Sequence, residues 1–557
     1  MTFHTAPAPD TAPPFVVSIA PDITAMPLAP VDGSFVITFS EALAQSATAA
    51  GAVTLVATAS GASVDLWALD YGTATFTLTV RPLAVLANST VHTLSFGSDH
   101  TKIMDVAGNP MSAPVAYEFT TFGSPGSLDT TFAGGNGFVV AQAPAGVHAG
   151  SALRIDSDGS LVIAGGSAAS GMILWRYLAN GNPDASFDSD GVVTHQGAFG
   201  NTNDAAYDVA ILPGGSIVST GRAQSQLDGA DYAAVVWGLG ATGTLLNSTG
   251  GSFGSAYGTY HIGADGDSTA DGFFRDGMYN SEASAVAVDG SGSILVAGRR
   301  EGTAGVWRLS SVGVPDSTFG TAGFAPLPYA GTPADLRVDG VGRLVVGGYA
   351  SAGAWLQIAV WRLLATSGAP DTTFGVNYDG AGSADGYVLS QVASGAAGDE
   401  TIDAIALDSS GRIVATGRSD NGATDWDMTV WRFQANGAGL DATFGSGGYL
   451  RHDGARGGTF EWGNALVIDD QGRVVVVGGA ETGVLDYDMV VWRVQADGSA
   501  LDPTFGTAGV AGYDGQALNR DAEAFDVEID ALGRLVLVGA SESTTNVEQM
   551  TLWRLFP

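Results

Sequence analysis

The sequence predicts an all-β chain, an N-terminal β-sandwich followed by a seven-bladed β-propeller, and three observations carry that prediction. An apolar strand ending in Trp recurs seven times after residue 123, a β-hairpin signature precedes each of these strands, and a D-x-T-F turn recurs six times, once as D-A-S-F (184–187). Each repeat thus supplies about four short strands. One such sheet cannot bury both of its faces alone, whereas blades stacked around a ring can. Gly fills 80 of 557 positions, as a chain of many tight turns needs.

In chain order, residues 1–14 are rich in Pro, Ala and Thr and read as an arm or linker. Residues 15–122 hold short alternating strands (FVVSI, SFVITF, AVTLVA, ATFTLTV, HTLSF, AYEFTTF) separated by turn residues, the pattern of a sandwich. This stretch resembles the bacterial Ig-like domains of S-layer and other surface proteins, through ITFSEAL (37–43), PLAVLANSTVHTLSF (82–96), IMDVAGNPM (103–111) and YEFTTF (117–122). The resemblance implies a spacer or surface module and no chemistry.

Residues 123–557 carry the repeats. The Trp strands end at Trp175, Trp237, Trp307, Trp361, Trp431, Trp492 and Trp553, spaced by 62, 70, 54, 70, 61 and 61 residues. Hairpin signals such as ALDSSGRIVATG and EIDALGRLVLVG precede them, and the third mark reads LDTTF, LDATF or LDPTF. In fixed order, a D-G-K/R-type hairpin followed by an LDxTFG turn resembles the delta-60 repeat family, over about 126–557. That resemblance implies a repeat fold and little about function. The first repeat opens with a fourth strand (137–142) that has no third strand before it, and the last stops after its third (551–555). Pairing these two segments would close the ring and remove its exposed ends.

Composition narrows the function. Lys plus Arg number 22 against 57 Asp plus Glu, a formal charge of −35. That surface repels nucleic acid and anionic membranes and favours cations and basic partners. Cys is absent, which excludes disulfides and thiolate metal sites. There is no 18-residue apolar run. Residues 1–14 lack the basic and apolar regions of a signal peptide, which leaves the export route open.

Strand direction sorts the loops onto two faces. The loops entering the inner strands and those between second and third strands share one face, and it collects acids: Asp204, Glu282, Glu400, Asp403, Glu461, Asp521 and Glu523, with Asp228, Asp231, Asp425, Asp427, Asp486 and Asp488. The D-x-D pairs 425/427 and 486/488 stand at matching positions, with Glu400 and Glu461 expected nearby. Carboxylates clustered in this way suit Ca²⁺, a hard cation with six to eight oxygen ligands. The alternative is a solvated set of loop caps. Asp265, Asp267 and Asp271 alternate like a Ca²⁺ loop, but no Glu stands where an EF-hand needs one, and Asp-Gly turn formation reads equally well.

The hairpin aspartates recur in six of seven repeats, which argues for turn structure. No nucleophile elbow, zinc-binding H-E-x-x-H or P-loop is present. Trp355, Trp426 and Trp462 fall outside the repeat position, where they could stack on sugar rings. The sequence therefore predicts a non-enzymatic extracellular or cell-surface binding or structural protein: an adhesin, surface-layer or appendage component. Its expected partner is a protein or glycan at a surface, with self-association through the Ig-like domain and N-terminal arm, and without membrane insertion. The alternatives are a virion or fibre subunit, suggested by Met1 without a leader and by the Pro-rich arm, and a carbohydrate-active hydrolase or lyase using the acidic face.

Overall fold

Short apolar runs bounded by Gly, Asp and Asn form strands throughout, and the computed structural model gathers them into two units, residues 1–127 and 128–555. The division falls a few residues beyond the change of sequence character at 123. The structure describes residues 10–24, 28–30, 34–44, 51–96, 102–141, 148–167, 169–196, 198, 200–225, 232–246, 273–276, 280–377, 384–394, 398–420, 425–482, 486–514 and 520–557.

The first unit is a sandwich of two sheets. One orders Val16–Ala20, Phe35–Phe39, Thr77–Pro82 and Leu66–Gly72, and the other Leu28–Ala29, Val115–Thr121, Val91–Phe96, Val53–Ala57 and Ala62–Val64. Alternation along these strands points Phe35, Ile37, Phe39, Leu78, Val80, Leu94, Phe96 and Phe119 into one core. The DVAGN turn is tied by Asp105, which accepts hydrogen bonds from the Asn109 backbone N (2.8 Å) and Nδ2 (2.7 Å).

Among the described residues the second unit contains five four-stranded antiparallel sheets and one eight-stranded sheet, itself two four-stranded antiparallel groups joined by one parallel bridge, so seven blades in all. The inner strands are Ala149–Ile155, Gly200–Ile211, Glu282–Val288, Thr332–Val338, Glu400–Leu407, Gly457–Ile468 and Ala522–Ile529. Each lies beside the next, and the seventh lies beside the first. The seventh sheet takes its outer strand from the other end of the unit: Phe138 pairs with Trp553, Val139 with Leu552 and Val140 with Thr551. Among the described residues one β-bridge, Trp426 to Phe460, joins neighbouring blades. Isolated backbone hydrogen bonds cross other joints, as Asp188 N to Thr242 O, Gly320 N to Ser367 O, Gly375 N to Asn436 O and Gly445 N to Asp497 O do, each at 2.9 Å. With so few backbone bonds at each joint, most of the contact between blades is made by side chains.

The repeated marks supply those side chains. All seven repeat Trp are buried, none more than 3% exposed. The Arg after Trp reaches the Asp of the D-x-T-F turn: Arg362 Nε to Asp371 (2.8 Å), Arg432 to Asp441 (2.9 Å), Arg493 to Asp502 (2.9 Å) and Arg554 to Asp129 (2.8 Å). The turn's Thr donates to the same carboxylate, as Thr443 Oγ1 does to Asp441 (2.6 Å). The turn's Phe lies against the guanidinium, with Phe444 4.6 Å from Arg432. The same guanidinium also bonds a carbonyl of the next blade: Arg362 to Ala435, Arg432 to Ala496 and Arg554 to Ala179. Burial alone would raise the Asp441 carboxyl, but Thr443 and Arg432 hold it down at about 2.

Removing one partner of such a buried pair leaves a charge without compensation. Asp441→Ala should cost about 3–5 kcal/mol, and Trp431→Ala a similar amount through the cavity it opens, about 3–5 kcal/mol. Urea midpoints at neutral pH measure both, and an unchanged midpoint would contradict the assigned roles.

Candidate functional site

The acids of the two propeller faces are used differently. On the hairpin face they are consumed by the fold. Asp339, Asp408, Asp469 and Asp530 each accept the backbone N–H two and four residues on, and each pairs with the Arg four residues on. The opposite, loop-side face carries the candidate residues. In blade five, which runs Glu400–Leu407, Ile413–Asp420, Trp426–Phe433 and Tyr449–His452, the structure gathers Asp425, Asp427 and Asp453. In blade six, which runs Gly457–Ile468, Val474–Thr482, Tyr487–Val494 and Val510–Tyr513, it gathers Asp486, Asp488 and Asp514. In each trio one oxygen from every carboxylate falls within 4.8 Å of the others. Asp427 and Asp488 start the Trp strands, while Asp453 and Asp514 follow the outer strands paired with them.

Asp427 and Asp488 are at most 1% exposed. Each meets an arginine: Arg451 Nε lies 3.0 Å from Asp427 Oδ2, and Arg456 reaches Asp488 Oδ2. Their Oδ1 atoms are buried and find no hydrogen-bond donor. Burial pushes the Asp427 carboxyl up to about 6 against the pull of Arg451, with Asp425, Asp453 and Glu461 adding to the rise. Asp488 also stands near 6, through burial and then the neighbouring Asp514.

Glu400 and Glu461 do not join either trio. Glu400 accepts from Ser394 N (2.7 Å) and Oγ (2.9 Å), and Glu461 lies 3.2 Å from His452 Nδ1 and accepts the Ala455 N–H. Both cap loops from buried positions. Asp265, Asp267 and Asp271 lie outside the described residues, as do Asp228 and Asp231. Asp204 is buried, bonded to the Ala198 N–H (3.0 Å). Trp355 is 43% exposed, whereas Trp462 donates to Glu523 (2.5 Å) and packs on Tyr487, and the Arg418 guanidinium covers Trp426.

The inner strands carry two charged groups, of which only the second, around Arg154, was not singled out from the sequence. Towards the loop face, Asp403 and Glu523 share the influence of Arg418. Burial raises both, Asp403 to about 6, with Glu523 adding to the rise of Asp403 and Asp521 to that of Glu523. Towards the hairpin face, all seven inner strands line a cavity of about 670 Å³. Here Asp526, Asp208 and Asp335, each just past a β-bulge, accept the N–H of the next blade's inner strand: Leu153, Val286 and Ile405, each at 2.8 Å. Arg154 lies among Asp208 (3.1 Å), Asp526 (2.9 Å) and Glu528 (3.5 Å). An acid four residues before the hairpin Asp was the available signal for Asp335 and Asp526.

Residues 10–121 match the bacterial Ig-like domain family. Residues 156–187 and 342–374 match a β-propeller domain of unknown function (DUF5122), and both stretches run from a hairpin turn to the Phe of a D-x-T-F turn, the parts that build one clamp. No curated protein matches the chain. Among solved structures, polysaccharide lyase Uly1 is similar at 12% identity over 74% of this chain and 90% of that one (TM-score 0.42). Streptogramin B lyase is similar at 10% identity over 75% and 98% (TM-score 0.38). Virginiamycin B lyase from Staphylococcus aureus, as a catalytically inactive variant with quinupristin, is similar at 7% over 74% and 87% (TM-score 0.24).

The cavity of the DUF5122-like propeller makes a pH prediction. Burial pushes Glu528 up to about 7, with Arg154 opposing and Asp526 adding to the rise. A raised carboxyl favours the folded state while protonated. Its ionisation therefore removes stability as pH climbs from the unfolded value near 4.3 through about 7. Glu528→Gln should be the more stable protein at pH 8 and lose that advantage below about pH 4. Thermal melts across this range measure the difference, and a constant gap between the two proteins would contradict the assignment.

Proposed function

We propose that this chain is a non-enzymatic extracellular or cell-surface protein. In this reading the loop-side face of the propeller binds a protein or glycan partner, and the Ig-like domain spaces or tethers it. The observation that supports the reading is the unequal use of charge on the two faces. Hairpin-side aspartates are matched by Arg343, Arg412, Arg473 and Arg534. On the loop side, Asp425, Asp427, Asp453, Asp486, Asp488, Asp514, Asp521 and Glu542 gather around Arg451, Arg456 and Arg520. Excess negative charge that the fold does not use attracts a basic or polyhydroxylated partner, and exposed Trp355 offers a ring for stacking on a sugar. Protease treatment of intact source cells should digest the chain while sparing cytosolic markers. Full protection until lysis would overturn the surface assignment.

A second reading, a carbohydrate-active hydrolase or lyase, is favoured by Asp403 and Glu523, two carboxyls with raised pKa around Arg418 and near Trp462. The purified chain should release no reducing ends or unsaturated products from a panel of neutral and anionic polysaccharides. Product that disappears in Glu523→Gln, with the melting curve unchanged, would replace the binding reading with the enzymatic one.

A further inference from the structure

We infer that the trios Asp425, Asp427, Asp453 and Asp486, Asp488, Asp514 are two equivalent Ca²⁺ sites in adjacent blades, and that Asp453 and Asp514 are the ligands that decide occupancy. The argument starts from one position of the blade. In the third strand of each blade a residue precedes the pairing with the outer strand, and its neighbour follows the outer strand. In blade four these are Gln357 and Gln391, and Gln357 Nε2 donates to Gln391 Oε1 at 3.4 Å. An amide carries both donor and acceptor, so these two side chains can bond each other and still donate to the backbone, Gln357 to Ala352 O (3.1 Å) and Gln391 to Gly398 O (2.7 Å). In blades five and six the same two positions hold Asp427 with Asp453 and Asp488 with Asp514. Ionised carboxylates are acceptors only. Two cannot bond each other, and a third, Asp425 or Asp486, completes each trio.

The adjacent arginines meet part of this demand. Arg451 and Arg456 both engage Oδ2 of the buried aspartate. Three carboxylates with one guanidinium leave each trio two negative charges in excess, the charge one Ca²⁺ cancels. The independent pointer is the buried Oδ1 of Asp427 and of Asp488, which finds no hydrogen-bond donor. A buried acceptor without a donor is costly, and both orphans occur at the same structural position, inside the groups where carboxylate oxygens converge. Oxygen-only donors in an irregular loop setting, open to water on the side of exposed Asp453, suit Ca²⁺ better than the stricter octahedron of Mg²⁺.

The test uses the full chain stripped with EDTA and titrated with CaCl₂ alone, by calorimetry and by equilibrium dialysis. Two ions per chain are expected. Asp453→Asn and Asp514→Asn should each reduce the uptake to one, and the double variant should take up none. Asp470→Asn, an exposed charge on the hairpin face, should retain both. Ca²⁺ should raise the melting temperature of the parent beyond what NaCl does at matched ionic strength, and EDTA should reverse the rise. Absence of saturable uptake by the parent would overturn the proposal, as would a stoichiometry unaltered by Asp453→Asn and Asp514→Asn. The two side chains lie at the accessible rim of their trios, and melting curves of the variants without Ca²⁺ verify that each is folded.

Discussion

The ring depends on the buried arginine that follows the repeat Trp. Backbone bonds across each joint are few, as Gly375 N to Asn436 O and Gly445 N to Asp497 O are, so the joint is built largely from side chains, and this one touches every part of it. It pairs with the turn Asp of its own blade, supports the turn Phe against its guanidinium, and donates to a carbonyl of the next blade. Burying an ion is unfavourable unless nearly all its donors are used. The planar guanidinium has five donors in a fixed fork and a face that accepts an aromatic ring, which explains Arg here in place of Lys. The Phe it supports is fully buried and lies against a glycine turn of the neighbouring blade. Phe444 meets Gly498 there, at φ +70°, where an added Cβ would fall 2.6 Å from the ring. One short motif thus sets both the turn and the spacing between blades.

Two positions in the ring test that logic. At the closure, Asp129 stands before the first blade, yet its carboxylate receives Arg554 and Arg534 of the seventh, more than 400 residues away in the chain. The strand pairing of Phe138–Val140 with the last strand and this clamp act together, so the ends of the unit are locked by both backbone and charge. In the second blade the Arg is replaced by Gly238 and the D-x-T-F turn degenerates, so the link to the third blade cannot be of the usual kind. There the axial Asp208 accepts the Val286 N–H across the same joint. The axial aspartates of the fourth and seventh blades do likewise, as additions to an existing clamp.

Much of this was legible in the sequence because repetition converts weak local signals into strong ones. Seven Trp strands and seven hairpins fix the strand order, and unmatched half-repeats at residues 137–142 and 551–555 imply their pairing. What escaped was what repetition cannot display. Asp453 and Asp514 follow outer strands of ordinary appearance, and only the antiparallel register brings them beside Asp427 and Asp488. The grouping of Glu400 and Glu461 with those aspartates failed for the opposite reason. They share a face in projection, but their side chains fold back onto Ser394 and onto His452 with Ala455. Sequence order gives the face on which a residue lies, whereas the direction of its side chain is settled by local donors.

The same contrast bears on where function resides. An acid present in nearly every blade is explained by the blade itself, and here the hairpin and turn aspartates are fully used by backbone N–H groups, Thr hydroxyls and Arg. Among the acids that depart from the repeat, Asp427 and Asp488 are only partly occupied, each meeting one arginine through Oδ2. Both stand where blade four has a hydrogen-bonded Gln, and a buried Oδ1 of each lacks a donor, in two adjacent blades. Asp403 likewise stands at a bulge position where other blades carry uncharged residues, such as Ser151 and Ser284. A stable repeat leaves such substitutions room, because the clamps on the hairpin face hold the blades without help from the loop face. Strain and charge can then accumulate on one side of the ring while the other side secures it.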